Sequence, residues 1–195
     1  MEPAKNQPPA LNPRLYSFIG GRSGNWRITS MVTISGAPLP AASFLNILPA
    51  ATNGAGADWV LRGITSNERY VTRDEKNELA AKQEGLGRPA SSCAALIPIK
   101  KDAAWWNLTQ EERRGIFEEQ SAHIHIGLGF LPAIARRLHH CRDLGSDEPF
   151  DFLTWFEYAP TETAAFDDLV ARLRASPEWR FVSRETDIRL IRTAG

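Results

Sequence analysis

The C-terminal quarter of the sequence has the residue pattern that most narrowly limits the fold. From 150 to 158, aromatic residues or threonine occupy every second position, a period of two that is typical of a β-strand. From 166 to 173, apolar residues follow the spacing of an amphipathic helix. The segment 179–192 returns to a strand pattern. These patterns predict a strand–helix–strand unit, which is typical of α+β folds.

The first half of the sequence contains a second unit of this kind. Its helix begins at the capping box Thr72–Glu75, where a hydroxyl and a carboxylate satisfy the first backbone N–H groups, and extends to about Glu84. The other elements predicted here are strands over 15–19, 26–35, 59–65 and 93–99 and a short helix over 38–48. Two such units suggest two α+β layers whose sheets pack on each other.

The segment between the two units is predicted to be helical. A second capping box, Thr109–Glu112, begins a helix that extends to about Ile126. The glycines and the proline between 127 and 132 interrupt this helix. A further helix is predicted over 132–141, because proline is tolerated in the first turn of a helix.

Composition excludes several classes of protein. The chain has 195 residues, of which 43% are apolar, and 23 basic residues balance 23 acidic ones. A chain of this length can bury a full core, and its neutral charge argues against a nucleic-acid-binding protein. No window of about 18 residues is apolar enough for a membrane span. Residues 1–13 lack the apolar core of a secretory signal and are predicted to be a disordered leader of a cytoplasmic protein.

The histidines and cysteines show no metal-ligand spacing of their own. They are His123, His125, His139, His140, Cys93 and Cys141. Histidines two positions apart on a helix point in different directions, so the first pair is a poor pair of co-ligands, and the adjacent pair is no better. The cysteines form no CxxC or CxxCH motif and are predicted to be buried thiols. From spacing alone, each histidine is most simply a hydrogen-bonded side chain near the core.

Several runs in the second half of the chain form a long and specific motif set. They are KDAAWWNL (101–108), His123, LPAIARRL (131–138), CRDLG (141–145) and FDFLTWFEY (150–158). Together they resemble the chlorite dismutase family of haem b proteins. The similarity extends from Leu15 to Arg192 and is greatest to a short-chain branch of the family, whose members have a reduced N-terminal half and are typically homodimers.

The resemblance implies a dimeric α+β barrel built from two ferredoxin-like halves, with haem b bound non-covalently in the C-terminal half. The implied organisation is the leader 1–13 followed by a single unit over 14–195. Within that unit, 14–100 corresponds to the reduced N-terminal half and 101–195 to the haem-binding half.

The resemblance also implies roles for individual side chains. His123 aligns with the proximal iron ligand, and Arg136, 13 residues later, with the distal arginine. Glu178, at the start of the last predicted strand, aligns with the carboxylate that accepts the N–H of the proximal imidazole. Gln83 aligns with a distal glutamine that would tether the guanidinium of Arg136. The residues implied to bind the haem propionates or to wall the pocket are Lys101, Trp105, Tyr70, Ile99, Trp106 and Trp155.

Elementary chemistry supports these implied roles. A carboxylate on the second ring nitrogen fixes the tautomer of a ligating imidazole and makes it a stronger electron donor. Arg136 lies in an apolar run, so its charge is expected to face a cavity and to hold a small oxyanion there, whereas Arg137 is expected at the surface.

The family resemblance implies an oxidoreductase that converts chlorite to chloride and dioxygen with formation of the O–O bond. Two alternatives stay open: a coproheme decarboxylase of haem biosynthesis, whose members generally lack the distal arginine, and a haem-binding dimeric module without turnover. Peroxidase chemistry is disfavoured, because no distal histidine is implied as an acid–base catalyst.

Overall fold

The structure, a computed structural model, describes residues 14–65, 71–145 and 147–193. The strands in these ranges are β1 (Leu15–Gly21), β2 (Trp26–Ser35), β3 (Phe44–Leu48), β4 (Trp59–Thr65), β5 (Cys93–Lys101), β6 (Ala135–His140), β7 (Phe152–Tyr158) and β8 (Val182–Arg192). The α-helices are α1 (Arg73–Lys82), α2 (Ala103–Asn107), α3 (Gln110–Arg114), α4 (His123–Leu128) and α5 (Thr163–Arg174). One π-helical turn covers Gly115–Gln120, and short 3₁₀ turns cover Arg142–Leu144, Pro160–Glu162 and Pro177–Phe181. The predicted leader and Tyr70 lie outside the described residues.

The eight strands form one closed antiparallel barrel in the order β1-β3-β2-β8-β5-β7-β6-β4. Within each half of the chain the first to fourth strands are ordered 4-1-3-2, since the two sheets are β4-β1-β3-β2 and β8-β5-β7-β6. The predicted pair of ferredoxin-like halves is therefore confirmed. The two sheets join at their edges, through β2 with β8 and β4 with β6, so the expectation that they pack face to face is wrong.

The two halves differ in their helices. In the C-terminal half, α2, α3 and α4 connect β5 to β6, and α5 connects β7 to β8. In the N-terminal half, β1 and β2 are joined by 22–25, and β3 and β4 by 49–58, with no helix in either connection. Helix α1 follows β4 but packs against α4 of the other half. In the part of the chain that the structure describes, the helix layer therefore covers the C-terminal sheet, and the N-terminal sheet has no helices of its own.

The alternation of side chains along the strands creates two cores. One fills the barrel interior and contains Phe18, Trp26, Leu45 and Trp155. The other lies outside the C-terminal sheet, where apolar residues of β5 and β7 face α5 across Phe156 and Phe166. None of the helices in the described ranges is long and apolar enough to cross a membrane.

Three sequence-based element predictions are wrong. The helix predicted over 38–48 is absent, and its second half is strand β3. The helix predicted over 132–141 is strand β6, because this segment pairs with β7 along its length and with β4 at its end. The long helix predicted from 110 is divided into α3, the π-helical turn and α4, and the break before α4 lies at Ala122, which adopts a left-handed backbone conformation with φ 50°. In the first and second cases, strand pairing overrides local helix propensity.

Candidate active site

A cavity lies between the outer face of the C-terminal sheet and the helices that cover it. Its walls come from β5, β6 and β7 on one side and from α1, α4 and α5 on the other. It encloses about 1240 Å³ of atom-free space, counting its open mouth. Most lining residues are apolar, and the polar ones include Gln83, Lys101, His123, Arg136 and Glu178. An apolar cavity with a few converging polar groups is the usual form of a ligand or cofactor site.

The imidazole of His123 is oriented by Glu178. His123 is the first residue of α4, and its Nδ1 lies 2.7 Å from Oε2 of Glu178. Because a carboxylate only accepts hydrogen bonds, Nδ1 is the donor in this bond and Nε2 is the ring nitrogen left for another partner. The ring of Phe117, from the π-helical turn, stacks on the imidazole with centroids 4.2 Å apart. The arrangement leaves the second ring nitrogen as the one that can bind a metal.

The N-terminus of α4 is capped by Glu118, a residue that the sequence analysis missed. Its carboxylate accepts hydrogen bonds from the backbone N–H of Ile124 at 2.7 Å and of His125 at 3.3 Å. A carboxylate at a helix N-terminus satisfies unpaired amides and interacts favourably with the helix dipole. Together with the positive φ of Ala122, this bond sets the direction in which α4 presents His123.

Glu178 also pairs with a buried lysine. Its Oε1 lies 2.7 Å from Nζ of Lys101, and both side chains are almost completely buried. Burial alone would raise the pKa of Glu178, but the His123 and Lys101 partners outweigh it and lower that pKa to about 2. Burial lowers the pKa of Lys101, against the opposing effect of Glu178. Glu178 was predicted at the start of the last strand. In the structure it lies in the 3₁₀ turn that precedes β8.

We expect the Glu178→Gln variant to be less stable than the wild type at pH 7 and to approach the stability of the wild type in acid. A carboxyl whose folded-state pKa is about 2, against 4.5 for an unperturbed glutamate, stabilises the fold above pH 4.5 and loses this contribution as the pH falls towards 2. The free energy of unfolding of the wild type should therefore exceed that of the variant at pH 7. The difference should shrink between pH 4.5 and 2. Urea unfolding of both proteins across this range would measure it, and a pH-independent difference would contradict the assignment.

Arg136 enters the cavity from β6 and is half-buried there. Burial lowers the pKa of its guanidinium, and among the described acidic side chains none forms an ion pair with it. Arginine keeps its charge in proteins, so the cavity contains a cation that attracts anions. Gln83, the residue that ends α1, donates from Nε2 to the backbone oxygen of Arg136 at 2.9 Å. The predicted contact between Gln83 and the guanidinium is therefore replaced by one to the backbone.

The guanidinium of Arg136 lies directly against Gly127 of α4. A Cβ placed on Gly127 would overlap Nη1 of Arg136, whereas one placed on Gly129 would meet only Ile126 O at 3.4 Å and His125 O at 3.9 Å. Gly127 is thus required for close approach of the arginine. This role was not predictable from the sequence, because a glycine within a helix gives no sign of its long-range neighbour.

Other predicted site residues divide into those that line the cavity and those that do not. Ile99 and Trp105 line it, and Lys101 does so while its ammonium is engaged by Glu178, although it was predicted to bind a propionate. Trp106 is one layer behind the wall, stacked on Phe152 at 5.9 Å and donating to Asp151 at 3.2 Å. Trp155 points into the barrel interior, where its indole donates to Glu157 at 2.9 Å. The predicted wall positions of the last two are therefore wrong.

The remaining candidates have structural roles. Arg137 is half-buried over the ring of Tyr16, 4.0 Å from its centroid, rather than at the surface. It donates to Nε2 of His139 at 3.0 Å, and burial together with this positive charge lowers the pKa of His139 to about 3. His125 is exposed, whereas His140 lines the cavity. Both cysteines are free, with Cys141 buried as predicted and Cys93 only half-buried.

Comparison with known proteins identifies the relatives of this chain. A family model described as Chlorite dismutase matches residues 48–193. The chlorite dismutase of Ideonella dechloratans is 34% identical over 123 residues, which are 62% of this chain and 40% of that protein. The chain thus spans less than half the length of this curated relative.

Solved structures give a fuller match. A dimeric chlorite dismutase from Nitrobacter winogradskyi is 55% identical, with a TM-score of 0.85 over 91% of this chain and 99% of that one. Chlorite dismutase from Candidatus Nitrospira defluvii in complex with imidazole is 21% identical, with a TM-score of 0.62 over 92% of this chain and 91% of that one. At this lower identity the likeness establishes the fold alone.

Proposed function

Because the chain belongs to the chlorite dismutase family, we propose that it is a haem b enzyme that decomposes chlorite to chloride and dioxygen. The observation that carries the proposal is the presence of His123 and Arg136 in one apolar cavity, one prepared to bind a metal and the other to bind an anion. Neither a serine nucleophile nor a pair of catalytic carboxylates is needed for this conversion.

The residues that line the cavity fit an iron porphyrin. The His123–Glu178 pair fits histidine ligation of haem iron, in which one ring nitrogen would bind the iron and the other donates to a carboxylate. Ile99, Phe152 and Phe156 provide apolar surface for a flat macrocycle. Trp105 and His140 add polar groups to the lining. When bound, the haem would supply the redox chemistry in which chlorite loses its oxygen atoms and the O–O bond forms.

In this proposal Lys101 and Glu178 control the electron-donating strength of His123. The carboxylate accepts the proton of Nδ1 while the buried ammonium holds the other carboxylate oxygen. The carboxylate remains ionised because its pKa is lowered to about 2. Outer partners of this kind typically change metal affinity or activity by about 10–100-fold. Lys101 thus acts on the imidazole through Glu178.

Arg136 would bind chlorite and retain reactive anions. Unit charges about 4 Å apart attract by about 4 kcal/mol at an effective dielectric constant near 20, before desolvation is counted. This attraction is sufficient to hold an anion through a short step without making release slow. Conversion of chlorite to chloride and dioxygen balances without gain or loss of a proton, so the chain's contribution is to bind, to orient and to exclude water.

We also propose that the functional unit is a homodimer. The support comes from the relative of Nitrobacter winogradskyi, which is described as dimeric and is covered over 99% of its length.

Dioxygen release from chlorite tests the proposed activity. Purified protein is reconstituted with hemin, and dioxygen is followed with an electrode after chlorite is added. Stoichiometric release of dioxygen is expected, and its absence from protein with a full haem absorption band would favour a haem-binding module without turnover. A parallel sample is loaded with coproheme and treated with peroxide. Loss of two carboxyl groups in its mass spectrum would instead indicate a coproheme decarboxylase.

Substitution of Gly127, which lies against the guanidinium of Arg136, is also expected to lower chlorite turnover. The Gly127→Ala substitution should displace the guanidinium and lower chlorite turnover by about tenfold, since small misplacements of a charged group are costly in an active site. Gly129→Ala is the matched control, because its added methyl group meets atoms only at ordinary contact distances. Equal turnover of the two variants would contradict the positioning role of Gly127.

A further inference from the structure

Strand β2 is paired along its length on one edge only. It pairs with β8 from Trp26 to Ser35, whereas its register with β3 comprises only Trp26 and Arg27. The following part, Thr29 to Ile34, is exposed at every position except Met31, which is half-buried. This part of the strand therefore forms a border of the barrel that is open to solvent.

The exposed part of β2 is unusually apolar and uncharged for such a position. Val32 is 49% exposed and Ile34 is 44% exposed. From Ile28 to Ser35 the sequence contains no charged residue and no proline, which are the residues that usually protect an exposed strand edge. Register shifts between Ile28 and Ser30 and between Thr33 and Ser35 bend the strand. The apolar side chains, rather than a continued backbone ladder, are thus what this region offers to a partner.

A shallow groove runs beside these side chains. It lies between β2, with Val32 and Ile34, and the first turns of α5, with Thr163 and Asp167. The charges in the groove are paired within the chain, because Arg189 forms ion pairs with Asp167 and Asp187. We call the exposed residues Thr29–Ile34 together with this groove the β2 surface.

We propose that the β2 surface is the contact between two copies of this chain, an inference that rests on the proposed homodimer. A twofold contact brings the same patch of both copies together, so a patch with a strong net charge would repel itself. The β2 surface avoids this repulsion because its carboxylates and its guanidinium are already paired. An apolar ridge beside a groove can also fit a copy of itself, since the ridge of each protomer enters the groove of its partner.

The location of the β2 surface agrees with the uneven helix layer. Helices cover the C-terminal sheet, but the strand connections described in the N-terminal half, 22–25, 36–43 and 49–58, contain none, so no helix from these connections lies over β2. Exposed apolar side chains that are grouped together mark association surfaces more often than isolated ones do. A second protomer would bury Val32 and Ile34 in place of the missing helices.

The oligomeric state of paired variants tests the interface. We expect the wild type to have twice the 21.7 kDa chain mass by light scattering, and the Val32→Asp/Ile34→Asp double variant to have the mass of one chain. Leu48→Asp is the matched control: Leu48 is 43% exposed, but it lies on β3 beyond the end of the β2–β3 pairing. This control should remain a dimer.

The outcomes separate the interface from the dimer. A double variant that stays dimeric would overturn the interface alone, whereas a monomeric wild type would overturn the proposed homodimer together with it. If the double variant fails to fold, hydrogen exchange of the wild-type backbone amides tests whether the β2 surface is the interface. Dilution of the dimer should speed exchange in Thr29–Ile34 at least tenfold and leave peptides containing Leu48 unchanged. Uniform exchange across the dilution would overturn the proposal.

Discussion

The His123→Ala variant should lose more than about 100-fold in hemin affinity and should show no chlorite activity. The expectation follows from the position of the imidazole, whose Nδ1 is held by Glu178 at 2.7 Å and whose other nitrogen is left to bind a metal. Loss of an outer partner alone costs about 10–100-fold, so loss of the ligand itself should cost more. Titration of apoprotein with hemin, followed in the visible spectrum, measures the effect.

His125→Ala is the matched control for this experiment. His125 lies on the same helix, two residues further on, and its side chain is exposed. Its removal should leave hemin binding and the visible spectrum unchanged. Equal loss in both variants would indicate that helix α4 had unfolded, and circular dichroism would detect this. Full hemin affinity in folded His123→Ala protein would exclude His123 as the iron ligand and with it the proposed site.

The Arg136→Ala variant should lose about 10²–10³-fold in chlorite turnover while it still binds hemin. Removal of a single preorganised donor to a developing oxyanion typically has this effect. The loss should appear mainly in binding and retention of the anion, because Arg136 is a half-buried cation that forms no ion pair with any carboxylate of the described residues. Initial rates of dioxygen release across a range of chlorite concentrations measure turnover and KM separately.

Two comparisons make the Arg136 result specific. Arg137→Ala removes the adjacent arginine, which lies over Tyr16 on the other side of β6, and should leave turnover within a few-fold of the wild type. Arg136→Lys keeps the charge but loses the planar fork and should recover part of the activity. Wild-type rates in Arg136→Ala would exclude the arginine from the reaction.

Elements with strong local signals were predictable from sequence. The capping boxes at Thr72 and Thr109 form as predicted, because their bonds join residues three apart. Strands β2 and β4 begin and end at the predicted residues, because turn-forming residues flank them in the sequence. Strand β6 was predicted to be a helix, because its strand conformation is imposed by β4 and β7, which are distant in sequence.

The same distinction applies to the site. The pair His123 and Glu178 was implied by family resemblance, and the structure brings the two side chains together across 55 positions. Trp155 was predicted to line the cavity, although the alternation of side chains along β7 indicates the opposite face. Phe152, Thr154 and Phe156 face the cavity, so the residues between them must face the barrel interior. The carboxylate partner of Lys101 depends on a turn near the C-terminus that no local pattern indicates.

Helix α1 links the two halves in a way that limits how the chain can be divided. It belongs to the N-terminal part of the sequence, yet Gln83 at its end bonds to β6, and Glu75 at its start accepts from Arg114 at 2.9 Å. A fragment that begins at Cys93, the first residue of β5, would keep the imidazole, its carboxylate and the arginine but lose the wall that α1 contributes to the cavity. Engineered shuffling of half-chains between homologues should therefore retain α1 together with the C-terminal half that it covers.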